Sequence, residues 1–410
     1  MREVIIDAVG AQGDGIVRDG PVFVPLTLPG ERATVKMDGS RGELLEILDA
    51  SPDRVTPPCK HFGDCGGCTS QHWAQQPYLD WKAELIRVQL SHEGIETEIL
   101  PAFAAPPASR RRVALHARGG KGGVRLGFKE RRSWNLVKIE ECPVSDPRLV
   151  AAFPALARLA QPFLEHPKSA PTLHVTLTAT GLDIDITGVE AKSGGLSADA
   201  RMVAAMAASE GDFARVTLAG EVVYMDRQPL VKLGPALVAL SPGSFLQAVP
   251  QAEKAMVAFA VEAAQGASKI ADLYCGAGTF TFRLAEVAAV HAADASAPAI
   301  SALKAAIGGA PGLKPITAEA RDLVRRPVLT MELTKTDVVV IDPPRAGAFE
   351  QTVEIANSKV ARVVSVSCNP ATFARDARML VDAGFKLEKV LPVDQFVWSP
   401  HIELVGIFSR

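Results

Sequence analysis

A cysteine at the end of an apolar run is the residue of this chain best placed for covalent chemistry. The segment "ARVVSVSCNP" reads as a buried strand that stops at Ser367-Cys368-Asn369-Pro370, followed by helix-forming sequence. A helix amino terminus just beyond a thiol favours the thiolate, so Cys368 is expected to be a nucleophile. Cys275, inside "DLYCGAGTF", is expected only to pack, as free cysteines often do. The run "TDVVVIDPPRAG" has the same architecture one unit earlier and ends at Asp342-Pro343-Pro344-Arg345. Two prolines end that strand and stiffen the loop, which aims Asp342 at a ligand.

The elements that position these residues are those of a doubly wound α/β sheet. "SKIADLYCGAGTFTFRLAE" reads as a strand, a glycine turn and a helix, and Gly276 and Gly278 let backbone approach a nucleotide-like ligand closely. The third glycine of the dinucleotide fingerprint is missing, so this turn alone does not name its ligand. The next strand, "AVHAADA", ends in Asp294, placed either to accept from ribose hydroxyls or to serve a turn. "TAEARDL" offers Asp322 in a similar place, with helix capping as the alternative. Several strand ends carrying polar or reactive groups thus share one crevice.

At 410 residues and 48% hydrophobic, the chain is long enough for two or three domains. Charges at Arg2, Glu3 and Asp7 interrupt the amino terminus and no apolar run has spanning length. No membrane association is expected, and the cytoplasm is the expected compartment. Residues 1–52 show short alternating segments between glycine-rich turns, as in a small β-barrel. Residues 56–235 read as mixed α+β, and residues 236–410 as the α/β domain. The net charge of −2 argues against a uniformly basic nucleic-acid binder. Between residues 101 and 140, however, Arg110, Arg111, Arg112, Arg118, Lys121, Arg125, Lys129, Arg131, Arg132 and Lys138 face only Glu130 and Glu140, a local charge of +8. With Phe128 and Trp134 interleaved, the stretch reads either as cations for phosphates with rings for bases, or as a solvated hairpin.

Cys59, Cys65 and Cys68, joined after a long gap by Cys142, can supply four thiolates to one inorganic site. On spacing alone, zinc and an iron–sulfur cluster both fit.

Taken together, "DLYCGAGTF", "DPPR", "SCNP" and "SPHIELV" resemble the RNA uracil-5-methyltransferases that use S-adenosylmethionine, and the likeness runs along essentially the whole chain. The resemblance implies a Rossmann-like class I methyltransferase domain preceded by a small TRAM-type, OB-like β-barrel, here "GDGIVRDGPVFVP" within residues 1–52, and a central iron–sulfur and RNA-binding domain. A helix near residues 78–92 is expected to pack back on the catalytic domain. "CKHFGDCGGC…ECP" is similar to the subgroup that holds a [4Fe-4S] cluster, which implies Cys59, Cys65, Cys68 and Cys142 as its ligands. The family's chemistry implies that Cys368 adds to uracil C6 and that Glu403 removes the C5 proton. Gln247, Tyr274, Gly276, Gly278, Thr279, Asp294, Asp322 and Asp342 are the implied cofactor contacts, with Thr279 standing where relatives can have Asn. His401 either orients Glu403 or caps the final strand. RNA is the implied partner, 23S ribosomal RNA first and the tRNA T-loop as the alternative, with an extruded target base. No obligate protein partner is evident. Cytosine-5 enzymes carry a cysteine in the "DPP" loop, which this chain lacks. A non-catalytic RNA-binding protein is the rival of another class.

Overall fold

The computed structural model describes residues 1–410 except Asp19, Lys121, Pro167 and residues 191–195. The carboxy-terminal sheet contains β1 (Lys269–Leu273), β2 (Ala289–Asp294), β3 (Ile316–Ala320), β4 (Val338–Ile341), β5 (Arg362–Ser367), β6 (Lys386–Asp394) and β7 (Glu403–Ser409). Their order across the sheet is β3-β2-β1-β4-β5-β7-β6. β1 to β5 are parallel, and β7 lies antiparallel between β5 and β6. The chain winds outward from β1 to β3, then returns to place β4 on the other side of β1. That reversal opens a crevice beyond the carboxyl ends of β1 and β4, where an open α/β sheet binds ligands.

Strand periodicity decides which side chains reach the crevice. β4, "VVVI", is buried at every position because helices cover both faces. Along β7, Leu404 and Phe408 join one core, while Val405 and Ile407 join the other, against the helix Pro250–Ala263. Gly406 falls on the first face, where a Cβ would come within 2.5 Å of the Phe373 ring. Glu403, two residues before Val405, therefore points to the side of Pro250–Ala263 and the loop that leads into it.

The central region forms a seven-stranded sheet from Arg112–Gly120 to Glu221–Met225, with the helices Phe153–Ala160 and Ala198–Glu210 sharing its core. Two of its parts join the catalytic body. The hairpin Leu230–Leu233/Ala236–Ala239 buries Val231, Leu233 and Val238 with Phe282, Ile300 and Leu303. The helix Gln75–His92 lies against the helix Pro370–Asp382 and β6, and Glu98–Ile99 extends the sheet beside β6. Residues 2–49 form a six-stranded sheet with its own apolar centre of Val4, Ile6, Val24 and Val35. Among the described residues, no helix is long and apolar enough to cross a membrane.

Candidate active site

The glycine turn after β1 is built for close approach. Tyr274, Gly276 and Gly278 all adopt positive φ, of 61°, 55° and 102°. A Cβ on Gly278 would lie 2.6 Å from the Phe282 ring, so this glycine is required by packing. A Cβ on Gly276 would meet nothing within 4 Å, so this one faces open space. Asp294, at the tip of β2, accepts the Gly276 N–H at 2.9 Å and the Ser296 N–H at 2.7 Å. It thereby holds the turn as well as lining the crevice. Thr279 is half-buried on the same turn. The Tyr274 hydroxyl is buried without a hydrogen-bond partner in the protein. Asp322, beyond β3, accepts the Val324 and Arg325 N–H groups at 3.1 and 3.2 Å in a turn that no helix follows.

Asp272 is a member of this site that motif reading passed over. It is fully buried on β1, accepts from the Thr281 hydroxyl and leaves Oδ1 unpartnered. Burial pushes its carboxyl up to about 7, with Asp342 and Asp294 adding to the effect. Burial likewise pushes Asp342 up to about 7, opposed by a hydrogen bond from Gln247 and reinforced by Asp294.

Beyond the ends of β4, β5 and β7, the reactive groups meet. Gln247 Nε2 donates to Asp342 Oδ2 at 3.1 Å. Gln395 Nε2 donates to Gln247 Oε1 at 2.8 Å and to Glu403 Oε1 at 3.0 Å, and its Oε1 accepts the Ala248 N–H at 3.2 Å. A hydrogen-bonded chain thus joins Asp342 to Glu403 through two buried amides. Burial pushes Glu403 up to about 8, helped by Asp342 and opposed by Gln395. Cys368 is half-buried just before Asn369, whose side chain caps the helix Pro370–Asp382 by accepting the Ala371 N–H at 3.2 Å. The expected depression of its pKa is corrected here: burial raises the thiol, Glu403 and Asp342 raise it further, and Arg345 lowers it. Two nearby carboxyl groups and desolvation outweigh one helix terminus.

His401 does not orient Glu403. Its backbone oxygen accepts from Lys82 Nζ at 2.7 Å, and its ring packs against Phe396; Gln395 holds the acid instead. The loop carrying Phe396 and His401 is fixed from the central region. Lys82 also donates to Asp394 and to the Phe396 oxygen at 3.2 Å, and the Thr69 and Ser70 N–H groups donate to the Trp398 oxygen at 2.7 and 3.1 Å.

The basic stretch is partly internal, contrary to a reading of its cations as phosphate contacts. Arg111 is buried, pairs with Glu253 and donates to the Gln247 oxygen at 2.9 Å. Arg112 donates to the Leu246 and Ser244 oxygens at 2.7 and 3.1 Å, and Arg131 and Arg132 hold Asp14. Adjacent arginines thus clamp the loop that carries Gln247. Phe128 packs into the central core. Trp134 remains 80% exposed, with Lys129 Nζ 3.9 Å from its ring centroid. Lys121 lies outside the described residues.

Cys59, Cys65, Cys68 and Cys142 line one cavity of about 390 Å³, together with Phe396 and His401 of the catalytic loop. Gly67 N–H and the Ser145 hydroxyl donate to the sulfurs of Cys65 and Cys142, at 3.4 and 3.2 Å. Burial raises the thiols of Cys59, Cys65 and Cys68, that of Cys68 to about 12. Among the described residues, no three His, Cys, Asp or Glu side chains converge as on a single metal ion. The four cysteines therefore share one cavity without closing on a single point.

Comparison with known proteins sets this geometry in a family. Residues 236–410 match the family described as tRNA (Uracil-5-)-methyltransferase. Over its whole length the chain is 79% identical to an RNA methyltransferase of Caulobacter vibrioides, whose full length is also covered. It is 32% identical to the 23S rRNA (uracil(1939)-C(5))-methyltransferase RlmD of Halomonas elongata, over 98% of this chain and 88% of that one. The chain belongs to the RNA uracil-5-methyltransferases. Its fold is that of the Pyrococcus abyssi tRNA (uracil-54, C5)-methyltransferase solved in complex with S-adenosyl-L-homocysteine, with a TM-score of 0.73 over 99% of both chains at 24% identity. In this family member, Cys368, Glu403 and Asp342 lie at neighbouring strand ends, with Gln247 on the loop before the helix Pro250–Ala263. The residue that links them, Gln395, carries no motif that could have marked it beforehand.

Proposed function

We propose that this methyltransferase transfers a methyl group from S-adenosylmethionine to C5 of a uridine in 23S ribosomal RNA. The observation that carries the reading is the placement of a thiol, Cys368, beside a buried acid, Glu403, at adjacent strand ends, with the open face of Gly276 on the same edge of the sheet. When bound, S-adenosylmethionine supplies an electrophilic methyl group on a cationic sulfonium. Gly276 would leave room for it, Asp294 and Asp342 would line its site with Asp272 buried behind them, and Tyr274 would offer apolar packing.

The protein's own groups account for the rest. Cys368 as thiolate adds to uracil C6, and the electrons of the C5–C6 bond make C5 nucleophilic toward the methyl group. Glu403, ionised, then takes the C5 proton, the C5–C6 double bond re-forms and the Cys368 sulfur leaves. Proximity of Glu403 raises the Cys368 thiol, so a proton has to leave this pair before addition. A target base held in the crevice is out of its stack, and exposed Trp134 with Lys129 offers a surface for RNA.

The four cysteines support a resident [4Fe-4S] cluster in the same reading. Their sulfurs line one cavity and two of them receive hydrogen bonds, the outer-shell arrangement of cluster ligands. When bound, a cluster would tie the segment 59–68 to Cys142 and so brace the basic strands between them. No chemical step is assigned to it.

Anaerobically prepared protein, incubated with labelled S-adenosylmethionine and total RNA lacking the modification, tests the reading. Label at one 23S uridine as 5-methyluridine, lost in Cys368→Ala, is the expected result. Label confined to tRNA would overturn the substrate, and RNA binding without label would overturn the chemistry.

A further inference from the structure

We propose that Gln395 is a positioning residue that selects which oxygen of Glu403 exchanges the proton and fixes the polarity of Gln247. The inference rests on Glu403 being the base of the proposed reaction. Gln395 is 1% exposed, and its amide is used completely: both N–H groups donate and the oxygen accepts. Its orientation is set by the Ala248 N–H, a backbone donor that cannot be exchanged for an acceptor. With Gln395 Nε2 facing Gln247, the oxygen of Gln247 faces Gln395 and its NH2 faces Asp342. A flipped Gln247 would set two NH2 groups against each other and an oxygen against a carboxyl group.

The same amide assigns roles to the two oxygens of Glu403. Oε1 accepts from Gln395, so the proton of the neutral acid resides on Oε2, and Oε2 is the atom free to take a proton from a substrate carbon. Among the described residues, the Gln395 N–H is the side-chain donor that favours ionised Glu403. The charged and titratable groups around Glu403 are Asp342 at the tip of β4, Cys368 beyond β5, Arg345 in the β4 loop, and the Lys82–Asp394 pair at the end of β6. Burial and Asp342 disfavour the carboxylate, which leaves Gln395 as the group that offsets them.

The test removes the donors and retains the volume. Gln395→Met deletes the amide, and Gln395→Glu keeps its shape but deletes both N–H groups. The carboxyl band of Glu403, isolated by subtracting the infrared spectrum of Glu403→Gln, is titrated in the full-length protein without substrate. Loss of a hydrogen bond to the charged form is expected to move its midpoint upward by roughly one pH unit in Gln395→Met and by more in Gln395→Glu. In parallel, kcat for methyl transfer to RNA is expected to fall about tenfold at neutral pH and to recover as pH rises, with KM for S-adenosylmethionine changing much less. An unmoved infrared midpoint, or a loss of kcat equal at every pH, would overturn the proposal. If the unsubstituted protein methylates no RNA, the proposed reaction fails by itself, and the infrared titration still judges Gln395. Far-ultraviolet circular dichroism identifies a variant that has not folded, and the other variant then decides.

Discussion

Lys82 and Asp394 form a salt bridge in which neither side chain meets solvent, although 312 residues separate them in the chain. The ammonium also donates to the backbone oxygens of Phe396 and His401, so one cation fastens the helix Gln75–His92 to the loop between β6 and β7. Removing one partner of a buried pair leaves the other charge uncompensated, at a cost of roughly 3–5 kcal/mol. Lys82→Ala is therefore expected to lower the denaturant midpoint substantially, whereas Lys82→Met combined with Asp394→Leu recovers much of the loss. Equal midpoints for the single and double variants would show that the pair is not the fastening element.

The reactivity of Cys368 depends on its acidic neighbours. Burial raises its thiol, and Glu403 and Asp342 raise it further. Alkylation by iodoacetamide, which reports thiolate, is expected to increase with pH to a midpoint above the ordinary thiol range. Glu403→Gln removes a negative neighbour and moves that midpoint downward. A profile identical in both proteins would separate the two groups electrostatically.

Asp272 and Asp342 give the ligand-free protein a pH dependence of opposite sign to that of a salt-bridged acid. Their folded pKa values, about 7 each, stand above the ordinary 3.8. Their contribution to stability is complete below about pH 4 and is lost as pH rises through 7. Thermal unfolding is expected at a lower temperature at pH 8 than at pH 6, and Asp342→Asn is expected to flatten that slope. A steeper slope in Asp342→Asn would refute the assignment.

The two glycines of the first turn separate packing from binding. At Gly278 a Cβ meets the Phe282 ring at 2.6 Å with φ of 102°, so Gly278→Ala is expected to destabilise the fold by roughly 1–3 kcal/mol. At Gly276, φ is 55° with open space ahead, a conformation that costs alanine about 1 kcal/mol. Gly276→Ala is expected to weaken S-adenosylmethionine binding at least about tenfold in calorimetry while unfolding changes little. Unchanged affinity would place the ligand elsewhere.

Much of the catalytic fold was legible in local pattern. β4 and β5 are apolar runs ended by proline-containing turns, and the crevice follows from strand ends that carry Asp294, Asp342 and Cys368. The signs of several electrostatic effects were not legible. A helix start beyond Cys368 suggested a lowered thiol pKa, but the sign depends on carboxyl groups that the fold brings in from β4 and β7. Charge alone likewise offered the residue 110–132 cations to phosphates, whereas Arg111 and Arg112 hold the Gln247 loop and Arg131 and Arg132 hold Asp14.

The sequence by itself determined the period of each strand and the residues at its tip, because these depend on near neighbours and side-chain chemistry. Tertiary structure alone decided who meets whom. Gln395 reaches Gln247 across 148 residues and Lys82 reaches Asp394 across 312. Such partners are selected by how whole elements pack, and a local periodicity records only which face is buried, not what lies against it.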